Sequence, residues 1–223
     1  MRPLSASELL NAWEKSLSEP PSTRALALLS AACSDVAPQA LARLSIGQRD
    51  ARLLTLREWA FGAQLDSVAN CPNCGEQLEW TLDAAELRTA PQAEPVGELS
   101  LDVDEYHVRF RLPDSLDVAA VADFKDLISA RRALFERCIL AASRNGQQIT
   151  AAELPEFVRE ALVKQMSQAD PQADTRLDLT CPACSHCWQP VFDIESFFWS
   201  EINAWARRLL QEVHTLANAY GWR

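Results

Sequence analysis

Apolar residues recur every three or four positions along much of this chain, and short stretches between these runs alternate strictly. The first helical run, Leu9, Leu10, Trp13 and Leu17, follows an S-x-x-E capping pattern at Ser5 and Glu8. It predicts a helix over 5–17 that stops at Pro20-Pro21. Leu26, Leu29 and Cys33 share a face of a second helix over 23–33, and Pro38 suits the first turn of a third. A second capping pattern, Ser45 to Gln48, opens a helix over 49–61 that ends at Gly62. Leu53, Leu56 and Ala60 line one side of it, with Leu54 and Phe61 beside them. Arg49, Asp50, Arg52, Arg57 and Glu58 fill the remainder. Residues 77–82 alternate, with Leu78, Trp80 and Leu82 against Gln77, Glu79 and Thr81, as a half-buried strand does.

Residues 90–97, with Pro91 and Pro95, read as a linker. A hairpin is expected over 99–103 and 106–112, where Tyr106, Val108, Phe110 and Leu112 alternate with His107, Arg109 and Arg111. A single long amphipathic helix is expected over 118–142. Val121, Phe124, Ile128, Leu134, Cys138 and Ile139 would face inward, and Asn145-Gly146 would end it. A third capping pattern, Thr150 to Glu153, precedes Leu154, Val158, Ala161 or Leu162, and Met166, marking another helix. Short strands are expected over 176–180 and 188–194. The clearest helix comes last: Phe198, Ile202, Trp205, Leu209, Val213, Leu216 and Tyr220 form one seam. Such a helix is about 35 Å long at 1.5 Å per residue. The seam suits either its own domain or a groove on a partner, with Trp199 and Trp222 outside it.

Two tight turns interrupt the strands, Cys71-Pro72-Asn73-Cys74-Gly75 and Cys181-Pro182-Ala183-Cys184. Each offers two thiolates to one side, which is half of a tetrahedral metal site; together they supply the four ligands of a structural zinc. Residues 75 to 180 lie between the halves, 106 in all, so the reading is of two zinc-knuckle hairpins sharing one ion, with an excursion folded between them. His186 and Cys187 follow the second turn and are alternative ligands. A rubredoxin-like iron site would use the same four sulfurs. With every position filled by protein, a hydrolytic zinc is disfavoured. Dithiol redox chemistry is the competing use of CPxC, but there the motif opens a helix whose N-terminus lowers the thiol pKa, and here a strand follows each turn. Both strands contain a Trp (Trp80, Trp188) and end at an Asp (Asp83, Asp193), a hint of internal repetition.

The other chemistry-bearing residues read as structural. Asp102, Asp104 and Glu105 sit at a turn and lack the pattern of a calcium loop. The six glycines are isolated, so no phosphate-binding loop can be built, and the three histidines lie far apart. Cys33 and Cys138 fall on apolar helix faces as core residues. Arg131-Arg132 and Arg207-Arg208, the adjacent basic pairs, belong to helix surfaces. Of 223 residues, 21 are Lys or Arg and 31 are Asp or Glu; the net charge of −10 disfavours binding to nucleic acid through phosphates. The opening residues carry no leader pattern and no stretch has the apolar length of a membrane span, so a soluble, cytoplasmic protein is expected. The fold class that follows is α+β, mainly helical with short β-hairpins. Its segments are a helical stretch over 1–45, a helix with the first knuckle over 46–90, a hairpin and helical excursion over 91–175, and the second knuckle with the terminal helix over 176–223. Residues 46–223 are expected to form one domain.

Three stretches carry a resemblance: Gly47-Gln48-Arg49-Asp50-Ala51-Arg52-Leu53-Leu54 through Phe61-Gly62, the CPxC pair, and Phe198-Trp199-Ser200-Glu201-Ile202 continuing to Ala219-Tyr220-Gly221-Trp222. Together they resemble the baseplate protein family of contractile-tailed phages, described as hub assembly proteins or chaperones of the T-even type and found also in phage-derived contractile injection systems. The resemblance implies a non-enzymatic role in building a baseplate or its hub, inside the cell during assembly and then either released or kept in the particle. The partners would be baseplate or hub proteins, met through Trp199, Trp205, Tyr220 and Trp222, and the scaffold would be held by one structural Zn2+. Members continue past the Tyr-Gly-Trp with a polar, basic segment, whereas this sequence stops at Arg223. The alternatives are a zinc-ribbon adaptor for nucleic acid or the transcription machinery, and a CxxC thiol oxidoreductase.

Overall fold

Capping chemistry sets the helix starts. In the computed structural model, which describes residues 1–89 and 97–221, the Ser5 hydroxyl accepts from the Glu8 N–H while the Glu8 carboxylate accepts from the Ser5 N–H, opening α1 (Ala6–Lys15). Proline at the first turn opens α2 (Pro21–Ala32) and α3 (Pro38–Ala42). Ser45 and Gln48 repeat the reciprocal cap at the head of α4 (Ile46–Phe61), and Gly62, with φ of 92°, ends it where a side chain would be strained. From there β1 (Gln64–Asn70) runs to the first cysteine turn and β2 (Gln77–Asp83) returns antiparallel to it. The second turn joins two shorter strands, β7 (Leu179–Thr180) and β8 (Cys187–Trp188), and Asp193 then caps α8 (Ile194–Tyr220).

Between the two cysteine turns lies a four-stranded antiparallel sheet, β3 (Leu99–Val103), β4 (Tyr106–Phe110), β5 (Ile139–Arg144) and β6 (Gln147–Ile149), in that order. The expected alternation holds on β4: Tyr106, Val108 and Phe110 are buried, while His107 and Arg109 face out. Helices α5 (Ser115–Val121), α6 (Leu127–Cys138) and α7 (Glu156–Ala169) complete the excursion. The Thr150–Glu153 box caps only a single 3-10 turn, and α7 starts afresh after Pro155.

The long helix expected over 118–142 is corrected. The chain breaks after Val121 and restarts at Leu127 under an Asp126 cap that accepts from the Ser129 N–H. Residues from Ile139 leave the helix to pair with β4. Phe124 and Ile128, expected to face inward, are exposed. Asn145 and Gly146 do not end a helix. Both have positive φ (49° and 80°), the requirement of a two-residue hairpin turn, and they join β5 to β6.

Two apolar clusters hold the molecule. The larger gathers Trp13, Leu29, Leu53 and Leu56 with Leu65, Phe198 and Ile202, so the first helices, the root of the first knuckle and α8 share one core. The smaller packs Val108 and Phe110 against Val158 and Leu162. The head of α4 joins them: Ile46 N–H donates to the Pro113 carbonyl at 3.1 Å, and Gly47 N–H donates to Asp170 Oδ2 at 2.9 Å. A Cβ on Gly47 would fall 2.1 Å from Asp170 Oδ1, so glycine is required by that close approach. The expected linker over 90–96 lies outside the described residues.

The polar side of α4 is not left to solvent. Arg49 and Arg57 are buried. Arg57 makes a two-pronged pair with Glu201 of α8, at 2.5 and 2.8 Å, and donates from its third nitrogen to the Gly62 carbonyl at 2.8 Å. Arg49 reaches Glu195 at 2.9 Å and Asp50 at 2.8 Å. Planar guanidinium groups with partners on several sides can be buried where an unpaired charge could not. Because the heads and the later turns of the two helices are matched in order, α4 and α8 run side by side in the same sense.

Candidate metal centre

Each cysteine turn has the same local construction. In the first, Cys71 N–H donates to the Glu76 carbonyl at 2.8 Å and Gly75 N–H to the Cys71 carbonyl at 2.9 Å. In the second, Cys181 N–H donates to the His186 carbonyl and Ser185 N–H to the Cys181 carbonyl, both at 2.9 Å. The residue after the second cysteine has positive φ in both, 78° at Gly75 and 56° at Ser185. Ser185 carries this conformation without the glycine that marks it in the first turn, and that substitution masks the equivalence in the sequence. A strand with a Trp follows each turn, Trp80 on β2 and Trp188 on β8, but β8 spans only Cys187–Trp188 rather than the expected 188–194. Asp193 caps α8, whereas its counterpart Asp83 holds only a turn, through the Ala85 N–H at 2.8 Å.

The two turns bring their sulfurs together. Cys71 Sγ lies 3.7 Å from Cys184 Sγ, and Cys74 Sγ lies 3.6 Å from Cys181 Sγ. All four ligand atoms lie within 4.8 Å of one another. Disulfide sulfurs would be about 2.05 Å apart; sulfurs on a tetrahedral zinc with bonds of ~2.3 Å stand ~3.8 Å apart along each edge. The observed spacing fits an ion and not a bond. Cys71 and Cys181 are buried, and Cys74 and Cys184 sit nearer the surface.

Ionisation is uneven across the cluster. The Asn73 side-chain amide, 3.5 Å from Cys184 Sγ, and the His186 N–H hold the Cys184 thiol down to about 6. At Cys74 the Glu76 N–H pulls down as well, yet the adjoining Cys184, burial and the other two sulfurs outweigh it and push the thiol up to about 12. Four thiols this close cannot all ionise unless a cation lies among them. Nothing in the sequence marks Asn73 for this role; its pairing with the other turn exists only once the hairpins meet.

His186 and Cys187 lie apart from the four-sulfur group. The imidazole stacks on Trp188 with ring centres 6.0 Å apart, and Cys187 Sγ contacts the Thr180 hydroxyl at 3.5 Å. Among the described residues no other group of three or more metal-ligating side chains converges. Asp102 pairs with His107 at 2.6 Å, and Glu105 is held by Arg144 and Asn145, so the acidic turn is occupied by its own neighbours. Cys33 and Cys138 are buried, and burial pushes the Cys138 thiol up to about 12. Both basic pairs lie exposed on helices. Trp199 and Trp205 pack against the main core, with the Arg24 guanidinium 4.8 Å from the Trp199 ring centre. Tyr220 is largely exposed, and Trp222 lies outside the described residues. No helix among the described residues is long and apolar enough to cross a membrane.

A family profile described as "T4 bacteriophage base plate protein" matches residues 6–199. No curated protein and no solved structure matches the chain.

Proposed function

Because the chain belongs to the T4 bacteriophage base plate protein family, and is in that sense a phage baseplate component, we propose that it works as a non-enzymatic assembly factor or chaperone of the baseplate hub in a contractile tail or contractile injection system, acting by protein–protein contact from a zinc-stabilised scaffold. The observation that carries the scaffold reading is the meeting of Cys71, Cys74, Cys181 and Cys184 across the intervening excursion. In this reading these four side chains are the ligands of one structural ion, zinc or iron, with His186 and Cys187 outside the set. The ion supplies charge neutralisation and four directional bonds. Such sites are worth about 10–16 kcal/mol in small peptides at neutral pH.

The chain's own residues do the rest. The Arg57–Glu201 and Arg49–Glu195 pairs lock α4 to α8, the helices from which the two knuckles spring. The far half of α8 stands clear of the core, with Leu210, Val213 and Leu216 exposed, and offers its seam to a baseplate or hub protein, with Tyr220 near its tip; Trp222 is proposed as a further contact. Assembly of this kind takes place in the cytoplasm.

The test is assembly itself. Tail particles are produced with this gene intact, deleted or carrying Cys71→Ser, and mass spectrometry follows the chain in intermediates and finished particles. The reading expects no complete baseplates without the gene and a severe defect with Cys71→Ser. The chain's presence in intermediates alone would mark a chaperone, and its presence in finished particles a permanent component. Normal baseplates after deletion would overturn the reading.

A further inference from the structure

The stems of the two knuckle ribbons do not pair with each other. Between them runs an open groove of about 370 Å³, walled by Asp66 to Ala69 of β1 and Trp80 of β2 on one side and by Pro190 to Asp193 on the other, with Phe197 among its lining residues. Its lining is mostly apolar, yet two polar atoms in it are buried without a partner: the Ser67 hydroxyl and the Trp80 indole Nε1. They stand directly opposite each other in the β1–β2 register, and Ser67 as a whole is only 8% exposed. Buried donors left unpaired are rare in folded proteins and call for an occupant.

The groove also has unpaired main chain on both walls. β1 belongs to a two-stranded sheet, so among the described residues its far edge has no strand beside it. Opposite, Leu177 N–H donates to the Pro190 carbonyl at 3.0 Å and Phe192 N–H to the Thr175 carbonyl at 2.8 Å, flanking the Arg176–Val191 bridge. Strand alternation therefore turns the N–H and carbonyl of Val191 away from that partner. Among the described residues no backbone hydrogen bond crosses from β1 to 190–192. Val68 and Val191 are exposed apolar residues of the two walls, and among the described residues the charged ones lining the groove are Asp66 and Asp193.

We propose that this groove takes an extended segment of a partner protein, added as a strand between β1 and 190–192. Its apolar side chains rest on Trp80 and Phe197, an oxygen of the segment accepts from Trp80 Nε1–H and Ser67 Oγ–H, and a Lys or Arg at its end meets Asp66 or Asp193. Strand addition draws affinity from main-chain hydrogen bonds and specificity from alternate side chains. The acidic lining selects a basic segment over an acidic one. The inference goes beyond the baseplate reading and holds whichever particle the protein serves.

The probe is the peptide acetyl-Lys-Val-Thr-Val-Thr-Lys-amide, titrated into metal-loaded full-length protein with 15N-labelled indoles, the Trp80 resonance being assigned with Trp80→Phe. The Trp80 N–H signal should shift saturably. Ser67→Leu, which fills the groove, should weaken binding about tenfold or more while leaving metal content and melting temperature in place. A peptide N-methylated at alternate amides and one with Glu for Lys should both bind more weakly; these two need no protein variant and decide the matter if Ser67→Leu does not fold. An unmoved Trp80 signal at millimolar peptide, or equal binding of the N-methylated or the acidic peptide, overturns the proposal. So does a Trp80 shift that follows protein concentration without peptide, which would assign the groove to a second copy.

Discussion

Arg57 heads the fully buried side chains by volume, and it is charged. Its three nitrogens are all engaged by Glu201 and the Gly62 carbonyl, so removing it strands a carboxylate and a helix-end carbonyl together. Arg57→Ala should destabilise by about 3–5 kcal/mol in chemical denaturation, the range for breaking a buried pair from one side. A polar pattern on α4 could not reveal this burial, because the partner lies 144 positions away on α8. Asp50 tells a different story. Burial pushes its carboxyl up to about 6, against the pull of Arg49. A carboxyl raised in the folded state binds its proton more tightly there than in the unfolded chain, so its contribution falls as pH climbs from about 4 through about 6. Asp50→Asn removes that loss. Relative to the natural protein, its stability should improve by about 2 kcal/mol between pH 4.5 and pH 7, measured by denaturation at both values. Asp117 runs the other way. Burial pushes it up, but Arg111 at 2.5 and 2.8 Å and the Asp114 N–H hold it below the usual carboxylate range, so its contribution is lost in acid and is common to both proteins compared.

At the scale of elements, α8 divides where its seam looked continuous. Ile194, Phe198, Ile202 and Ala206 are buried, whereas Val213 and Leu216 are not. Trp205→Asp should therefore lower the melting temperature sharply, because it places a charge against the main core. Val213→Asp should leave the melting temperature within a few degrees and weaken capture of the baseplate partner; a large loss of stability from Val213→Asp would mean that the far half is covered by its own chain. The same contrast explains what the sequence could disclose. Reciprocal caps at Ser5 and Ser45 are local chemistry and were legible, as was the alternation of β4, since both depend on residues a few positions apart. Residues 118–142 were not, because Ile139 to Arg144 are helical in spacing but are claimed by the edge of β4, a distant partner that overrides local preference. Asn145-Gly146 is the clue: flanked by strands it makes a hairpin turn, and it reads as a helix end only where a helix precedes it.

Seen as a whole, the molecule is a main core built from both ends of the chain and a smaller one built from its middle, joined at the head of α4. The four cysteines were legible because a CPxC turn is a self-contained device, and two of them imply each other. What could not be read was the frame that makes them meet: α4 and α8 lying side by side through the Arg49 and Arg57 pairs, each rooting one knuckle. In that frame the cysteine cluster and the buried pairs hold the same relation at two places; on the proposed metal reading, a chelator should loosen the knuckles and lower the melting temperature without dissolving the helices that the main core retains. The most direct test of the account is the metal content of the purified protein, by elemental analysis, for the natural chain and for Cys71→Ser, Cys181→Ser and Cys187→Ser. The account predicts one zinc or iron per chain, lost in the first two variants and kept in the third. Unchanged metal in Cys71→Ser and Cys181→Ser, or no metal in the natural protein, would contradict it.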